Sequence, residues 1–475
     1  MVINMDKSIF DDIKEDFPKL NESITCDILI VGGGLTGLSL AYYLKDENIS
    51  TVLIEQGKLA FSTTRRSTAK LTYFQQDILS KIVKARNKSG AYLYYKAQKE
   101  AISRVTDIIK KEDISCHLEK SPSYLFVREE KNKKKLKNEI KLYKDFGANV
   151  EYCPNLPLKS GEIMCAKAED NYVFNPTEYV EGLIKAISNS KNVSLYEKTR
   201  MIELDKKDGS YIVNLENKKQ IFAKKIVFAG HYSPFVFPYL FPTTNYLEKD
   251  FVCADKHEHM EFNAINLDKD LLSIRFYEDY IIKVVKSAKL SNSSIDINPY
   301  EKEDYPYKWI NYDIMTQDSL PIIGKIKNNL YIATGYNTWG MTNSNFAGYL
   351  LKDILLGKDN RYKKLVNPKR FPTIMTIMNG IIDNASMIIH FIGSYLPLVD
   401  KPTITIENGK RVGIVMDKEG KLHKVSLTCP HMKCGLKFNR LTKTWDCPCH
   451  GSRFDIDGNL LRGPSTKCVS KAINK

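Results

Sequence analysis

The chain has 475 residues, 43% of them apolar, which is enough for two or three packed domains rather than one small one. Its net charge of +15 is uneven, because residues 401–475 hold 15 Lys and Arg against 6 Asp and Glu. Such an excess steers acidic partners or an anionic lipid surface, although a Lys-rich composition throughout would account for it equally well. No basic stretch interleaves with aromatic residues in a recognisable motif, so nucleic acid is not an expected partner. The mixed, polar opening Met1–Asp12 lacks a signal-peptide pattern, which makes the cytoplasm the expected compartment.

Residues 1–22 read as a mobile or loosely docked lead-in. The stretch CDILIVGGGLTGLSLAYYL then runs from an apolar strand through a glycine turn into an apolar helix. A second strand, TVLIE, ends at Glu55. Gly32-x-Gly34-x-x-Gly37 between strand and helix is the dinucleotide fingerprint in its proper context. The glycines let the backbone approach a pyrophosphate at the helix N-terminus, and Glu55 accepts from a ribose hydroxyl. Just beyond lies FSTTRRSTAKLT at 61–72, where Thr64, Ser67, Thr68 and Ala69 offer backbone and hydroxyl hydrogen bonds. This segment resembles the one that lines the flavin in FAD-dependent oxidoreductases of the glycine oxidase and D-amino-acid oxidase type, with Arg65 where Gly is usual. The resemblance selects FAD over NAD.

Apolar spacing predicts helices over 89–111 and 131–146, the second with a solvated outer face. YVFNPTEYVEGL at 172–183 is similar to the strand-to-helix re-entry of these oxidases. Residues 193–204 and 211–215 alternate as strands, and the family places a main-chain adenine contact at about Met201. The strand 224–231 closes the FAD lobe. Residues 233–305 should form an antiparallel substrate sheet over the flavin. Within it, His257 and His259 lack a third ligand and read as an exposed loop. Arg275 falls in an S-x-R strand of the family and is a candidate anchor for a substrate carboxylate, with a structural salt bridge as the equal alternative. TQDSLPIIG (316–324) and YIATGYNTWGMT (331–342) resemble the closing motif of the oxidases, which brings Gly335, Gly340, Met341 and Thr342 to the ribityl chain and flavin edge.

Residues 371–398 are the longest apolar run. Asp383 near its centre, with only Lys369 and Arg370 as a basic flank, argues against a transmembrane span. A polar face without Lys or Arg argues against an interfacial membrane helix, so an amphipathic helix packed between the two cofactor domains is expected, with peripheral membrane contact left open.

Two ligand pairs follow, Cys429-x-His431 and Cys447-x-x-His450. Two thiolates and two imidazoles suit a Rieske [2Fe–2S] cluster, and by count alone they suit tetrahedral zinc as well. Cys434 and Cys449, one beside each pair, decide for the cluster. CxHxxCG followed by CPCHGSxF is similar to the Rieske proteins of cytochrome bc-type complexes, and that resemblance implies a Cys434–Cys449 disulfide. Ser452 is placed to hydrogen-bond a cluster sulfur, and Phe454 stands where a second hydroxyl donor is often found. Cys26, Cys116, Cys153, Cys165 and Cys253 are scattered singly and read as buried apolar side chains, with Cys468 left over.

From about Cys26 to Pro464 the chain therefore resembles a D-amino-acid-oxidase-type FAD oxidoreductase with a C-terminal Rieske domain. The implied fold is an α/β Rossmann-type FAD lobe (about 23–110, 172–232 and 306–370) interleaved with an antiparallel substrate lobe (about 111–171 and 233–305). A linker helix at 371–399 and a small all-β Rieske domain at 400–475 complete it. The implied chemistry is oxidation of an amine or amino-acid C–N bond by hydride transfer to non-covalent FAD. A flavin accepts two electrons and a Rieske cluster moves one, so the fusion suggests single-electron delivery to a ferredoxin, flavodoxin or quinone. The reverse flow, with the Rieske domain as entrance, and a pure electron-transfer role remain open. No residue is assigned as a catalytic base.

Overall fold

The computed structural model describes residues 8–10, 13–207, 209–231, 245–289, 304–370, 378, 403–407, 410–417, 420–439, 443–449, 451–463, 465 and 467–469. The linker reading at 371–399 and the ligand His450 lie outside these residues, apart from the single position 378.

The first strand, Ile24–Val31, pairs in parallel with Thr51–Ile54 on one side and Gln220–Phe228 on the other. Val193–Tyr196 extends one edge, and the antiparallel strands Ser210–Leu215 and Met201–Lys207 extend the other. Burial on both faces explains why these strands read as continuous apolar runs. Ile28 and Ile30 face one hydrophobic cluster, whereas Cys26 and Leu29 face another. The helix Leu35–Leu44 is apolar nearly all round, as a helix enclosed on every side must be. It packs tightly against the helix Gly340–Leu355, where a Cβ on Gly348 would lie 2.8 Å from Cβ of Ser39.

The second sheet runs Tyr307–Thr316, Asn245–Lys256, Tyr280–Lys289, Ser273–Tyr277, Asn263–Asn266, Ser123–Val127, Met164–Ala168 and Val150–Cys153 in spatial order. All its pairings are antiparallel except Asn263–Asn266 with Ser123–Val127. This sheet takes strands from 111–171 and 233–305, and also takes Tyr307–Thr316, which the sequence reading placed in the FAD lobe.

Two local readings change. The described part of the lead-in is firmly docked: Phe10 and Leu20 are buried, Ser8 Oγ donates to Arg65 O at 2.6 Å, and Leu20 N–H donates to Thr199 Oγ1. Cys153 and Cys165 are not isolated, since strand pairing sets them directly opposite with sulfurs 2.8 Å apart.

The C-terminal unit is all-β. One sheet joins Thr403–Glu407, Lys410–Met416 and Leu422–Ser426, and the other joins Lys437–Asn439, Thr444–Asp446, Arg453–Phe454 and Leu460–Arg462. Trp445 fills its core above Gly413, where a Cβ would sit 2.2 Å from the indole. Against the substrate sheet, the Arg453 guanidinium lies 5.3 Å from the Tyr312 ring centre. Among the described residues no helix is long and apolar enough to cross a membrane.

Candidate flavin cleft and iron-sulfur centre

At the nucleotide end, Gly32 takes φ +115° and abuts the backbone of Gly230, while a Cβ on Gly37 would lie 2.0 Å from the Gly32 carbonyl. Turn and helix are therefore locked together by contacts that only glycine allows. Glu55 receives the Gly33 and Gly57 amides at 2.9 Å each. Burial raises its pKa, and those amides resist the rise. The first turn of the following helix carries no acidic residue, which leaves its positive end suited to a pyrophosphate. Lys198 and Thr199 hydrogen-bond Gly57 and Glu55, bringing the backbone just before Met201 alongside the end of the second strand.

Thr64 Oγ1 accepts from the Leu35 amide at 3.1 Å, tying the flavin-segment loop to the helix start. Ser67 Oγ accepts from the Ala69 amide at 2.9 Å, and Ala69 itself sits at φ +52°. Arg275 holds this strained turn in place. Its guanidinium is fully buried and donates to the carbonyls of Thr68 (2.8 Å), Ala69 (3.3 Å), Phe174 (3.0 Å) and Phe276 (3.1 Å). Those bonds turn it to the main chain rather than to the cleft, so it offers neither the carboxylate anchor nor the salt bridge considered from sequence. Burial pushes its pKa down to about 10.

The closing motif is strained as well. Gly335, Asn337 and Thr338 all have positive φ, and the Asn337 side chain accepts from the Thr316 amide at 2.7 Å to hold the loop. Gly340 opens the next helix, with Met341 and Thr342 buried in its first turn.

Between these elements and the substrate sheet lies a small cleft that opens to solvent. Ser67, Thr68, Trp339 and Met341 line one side, and Asp250, Asn311 and Asp313 line another. Lys70 also lines it and donates to Ala264 O at 3.2 Å and to Ser273 Oγ. Burial, aided by the Arg275 charge, pushes the pKa of Lys70 down to about 7. Asp250 stands in register with Asn311, whose amide donates to Asp313 at 3.0 Å. Burial first, and then the Asp313 charge, pushes the pKa of Asp250 up to about 8. These residues escaped the sequence reading. Their signal is faint: polar residues at period two, Glu248-x-Asp250 and Asn311-x-Asp313, in strands otherwise rich in apolar side chains.

In the C-terminal unit, Cys429 and Cys447 are buried, and each opens a loop closed by backbone bonds (Lys433 N to Cys429 O, 2.9 Å; Gly451 N to Cys447 O, 2.9 Å). Cys434 and Cys449 form a disulfide that joins the two loops. A hydrogen bond from the Cys447 thiol, with Ser452 contributing, pulls the Cys429 pKa down to about 7 against its burial. Two buried cysteine sulfurs side by side, with Cys429 favouring thiolate, are a donor pair suited to an iron-sulfur cluster. Burial lowers the pKa of His431, which keeps its imidazole neutral for ligation. His257 is half-buried with Nδ1 on the Glu258 carbonyl at 2.7 Å, and His259 pairs with Glu119 at 2.9 Å, so neither joins a metal site among the described residues.

A glycine-cradled nucleotide site, a cleft under an antiparallel sheet and a two-loop cysteine centre together define a flavin-dependent oxidoreductase with an attached iron-sulfur domain. Residues 27–282 match the family model for FAD dependent oxidoreductases, and residues 395–472 match that of the Rieske [2Fe-2S] domain. The chain belongs to the FAD dependent oxidoreductase family, and its cofactors are FAD and a Rieske [2Fe–2S] cluster. It is 29% identical to YhfW of Bacillus subtilis (strain 168), named for a Rieske 2Fe-2S iron-sulfur protein, over 95% of this chain and 94% of that one. It is 24% identical to the gamma-glutamylputrescine oxidoreductase of Escherichia coli (strain K12), covering 75% of this chain and 89% of the other. The fold is similar to glycine oxidase from Geobacillus kaustophilus, with a TM-score of 0.60 at 14% identity over 74% of this chain and all of that one.

Proposed function

We propose that the protein oxidises the C–N bond of an amine or amino acid and delivers the electrons one at a time to an external acceptor. What supports this reading is the strand Tyr307–Thr316, which has the cleft on one face and the C-terminal unit on the other. Asn311 and Asp313 line the cleft, whereas Tyr312 between them packs on the other face with Phe251 and Ile310 and meets Arg453 of the Rieske unit. Arg453 in turn pairs with Asp446 at 3.2 Å, the residue preceding Cys447.

FAD bound in the cleft would supply a hydride acceptor for the carbon bearing nitrogen, and the cluster would supply single-electron transfer. The residues proposed to hold FAD are Gly32, Gly34, Gly37 and Glu55 at the nucleotide, Met201 at the adenine, and Thr64, Ser67, Thr68, Ala69, Gly335, Gly340, Met341 and Thr342 around the flavin. Cys429, His431, Cys447 and His450 are proposed to hold the cluster. The substrate sheet covers the cleft and limits water, while Arg275 keeps the 67–69 turn in shape. The basic C-terminal unit suits an acidic one-electron carrier such as a ferredoxin or flavodoxin, with a quinone as the small-molecule equivalent.

The test is an anaerobic visible-spectrum titration against D- and L-amino acids, glycine derivatives and simple amines. Loss of the flavin bands followed by bleaching of the cluster supports the proposal. If no amine bleaches either centre while a reduced ferredoxin or a quinol bleaches both, the Rieske domain is the entrance and the flow runs in reverse.

A further inference from the structure

We infer that Cys153 and Cys165 form a peroxide-responsive thiol pair, oxidised reversibly to a disulfide that fastens the outer edge of the substrate sheet. The inference stands apart from the proposed C–N oxidation and from the direction of electron flow.

Cys153 ends the edge strand Val150–Cys153, and Cys165 lies opposite it in the antiparallel strand Met164–Ala168. Directly opposed residues of such a pair have Cα atoms about 4.5–5.5 Å apart, inside the span of about 4.4–6.8 Å that a disulfide bridges. Both thiols are free and their sulfurs are 2.8 Å apart, so closing about 0.8 Å reaches the length of an S–S bond. Strand register holds the two sulfurs together. Residues 154–163 leave the edge strand and return as its neighbour, and Glu162 closes that loop by accepting from the Leu156 and Ser160 amides at 3.0 and 2.8 Å. A disulfide between 153 and 165 ties off this loop covalently and joins the last strand of the sheet to the one beside it.

The chemistry of the pair sets it apart from the other buried cysteines. Burial pushes the Cys26 and Cys116 thiols each up to about 12, which leaves them inert. At the pair, a hydrogen bond from the Cys153 thiol holds the Cys165 pKa below the usual thiol value against its burial. Two sulfurs holding one proton between them ionise as a unit, and the thiolate is the reactive form. Cys153 is half-buried at the sheet edge and is the sulfur that a small oxidant reaches. Cys165 is fully buried beneath it, beside Phe126 and Phe276, and is placed to resolve. The Cys153 thiolate attacks hydrogen peroxide, forming an S–O bond as the O–O bond breaks and hydroxide leaves. The Cys165 thiolate then attacks that sulfur, forming the S–S bond and expelling the sulfenic oxygen as a second hydroxide. The two thiol protons convert both hydroxides to water, and the two electrons lost by the sulfurs have reduced the peroxide. An external dithiol reverses the step by exchange.

The experiment takes protein loaded with FAD and cluster, purified under dithiothreitol and then freed of it, and exposes it to hydrogen peroxide before alkylation and non-reducing trypsin digestion. Lys159 lies between the two cysteines, so the disulfide appears as peptides 145–159 and 160–167 joined together. The joined peptides are expected to form at least about tenfold faster than Cys26 or Cys116 loses its capacity for alkylation, and dithiothreitol should release them. In Cys165→Ser, which lacks the resolving thiol, dimedone should trap Cys153 as its sulfenic acid, with at least about tenfold more adduct than in wild type. Full alkylation of both thiols after peroxide, a pair that reacts no faster than Cys116, or a link that dithiothreitol does not release overturns the inference. So does folded Cys165→Ser without a dimedone adduct at Cys153. If Cys165→Ser does not fold, the wild-type peptide map decides alone.

Discussion

Gly37 marks how little room the nucleotide end leaves. A methyl group there would lie 2.0 Å from the Gly32 carbonyl, inside any tolerable contact, so the strand-turn-helix unit must open to admit it. Gly37→Ala is expected to purify with FAD content reduced severalfold, read from the ratio of flavin to protein absorbance, while the cluster spectrum is kept. Ser452 governs the other centre. Its Oγ accepts from the Ser465 amide at 2.9 Å, which leaves the hydroxyl proton for the Cys429 sulfur. Ser452→Ala should lower the cluster potential by about 60 mV, the equivalent of ~1.4 kcal/mol, in a redox titration. Gly37 and Glu55 were legible in the sequence because a fingerprint repeats with its strand and helix around it. Asp250, Asn311 and Asp313 were not, because a polar residue on a strand reads as solvated until the neighbouring layer is known to bury it. Arg275 was noticed, but its partners are main-chain carbonyls, which leave no mark in a sequence.

Elements were read more readily than their connections. The helix at 88–111 shows in the apolar spacing and that at 176–188 in the resemblance of 172–183 to the oxidases' re-entry, whereas the side chains of Asn87 and Asn175 that cap their first turns became evident only in the structure. Long-range clasps are silent. Asp318 receives Arg86 at 2.6 Å and Arg370 at 2.6 and 2.7 Å, fastening residues beyond the last described helix of the FAD lobe to the turn before Leu320. Burial alone would raise the pKa of Asp318, but the two guanidinium groups outweigh it and hold it below the ordinary value. A depressed carboxylate adds stability above its unfolded pKa and loses it as the pH falls through the folded one. Asp318→Asn should therefore cost about 3 kcal/mol near neutrality, with the gap to wild type shrinking below about pH 4 in thermal unfolding. A gap that stayed constant across this range would mean the clasp contributes through packing rather than charge.

At the scale of the whole molecule, the order of the domains and the identity of both cofactors follow from three motifs far apart in the chain. How the domains meet does not. Tyr312 and Arg453 are 141 residues apart, and neither position carries a local pattern that would match one to the other. Their contact places the cysteine hairpin against the outer face of the sheet that covers the cleft, and the proposed flow of electrons depends on that arrangement. Low-temperature EPR after anaerobic addition of a reducing amine tests this most directly. The account predicts a reduced-cluster signal in the wild-type protein, and its absence from a Cys447→Ser variant whose flavin still bleaches. Wild-type protein whose flavin bleaches fully while its cluster stays oxidised would contradict it.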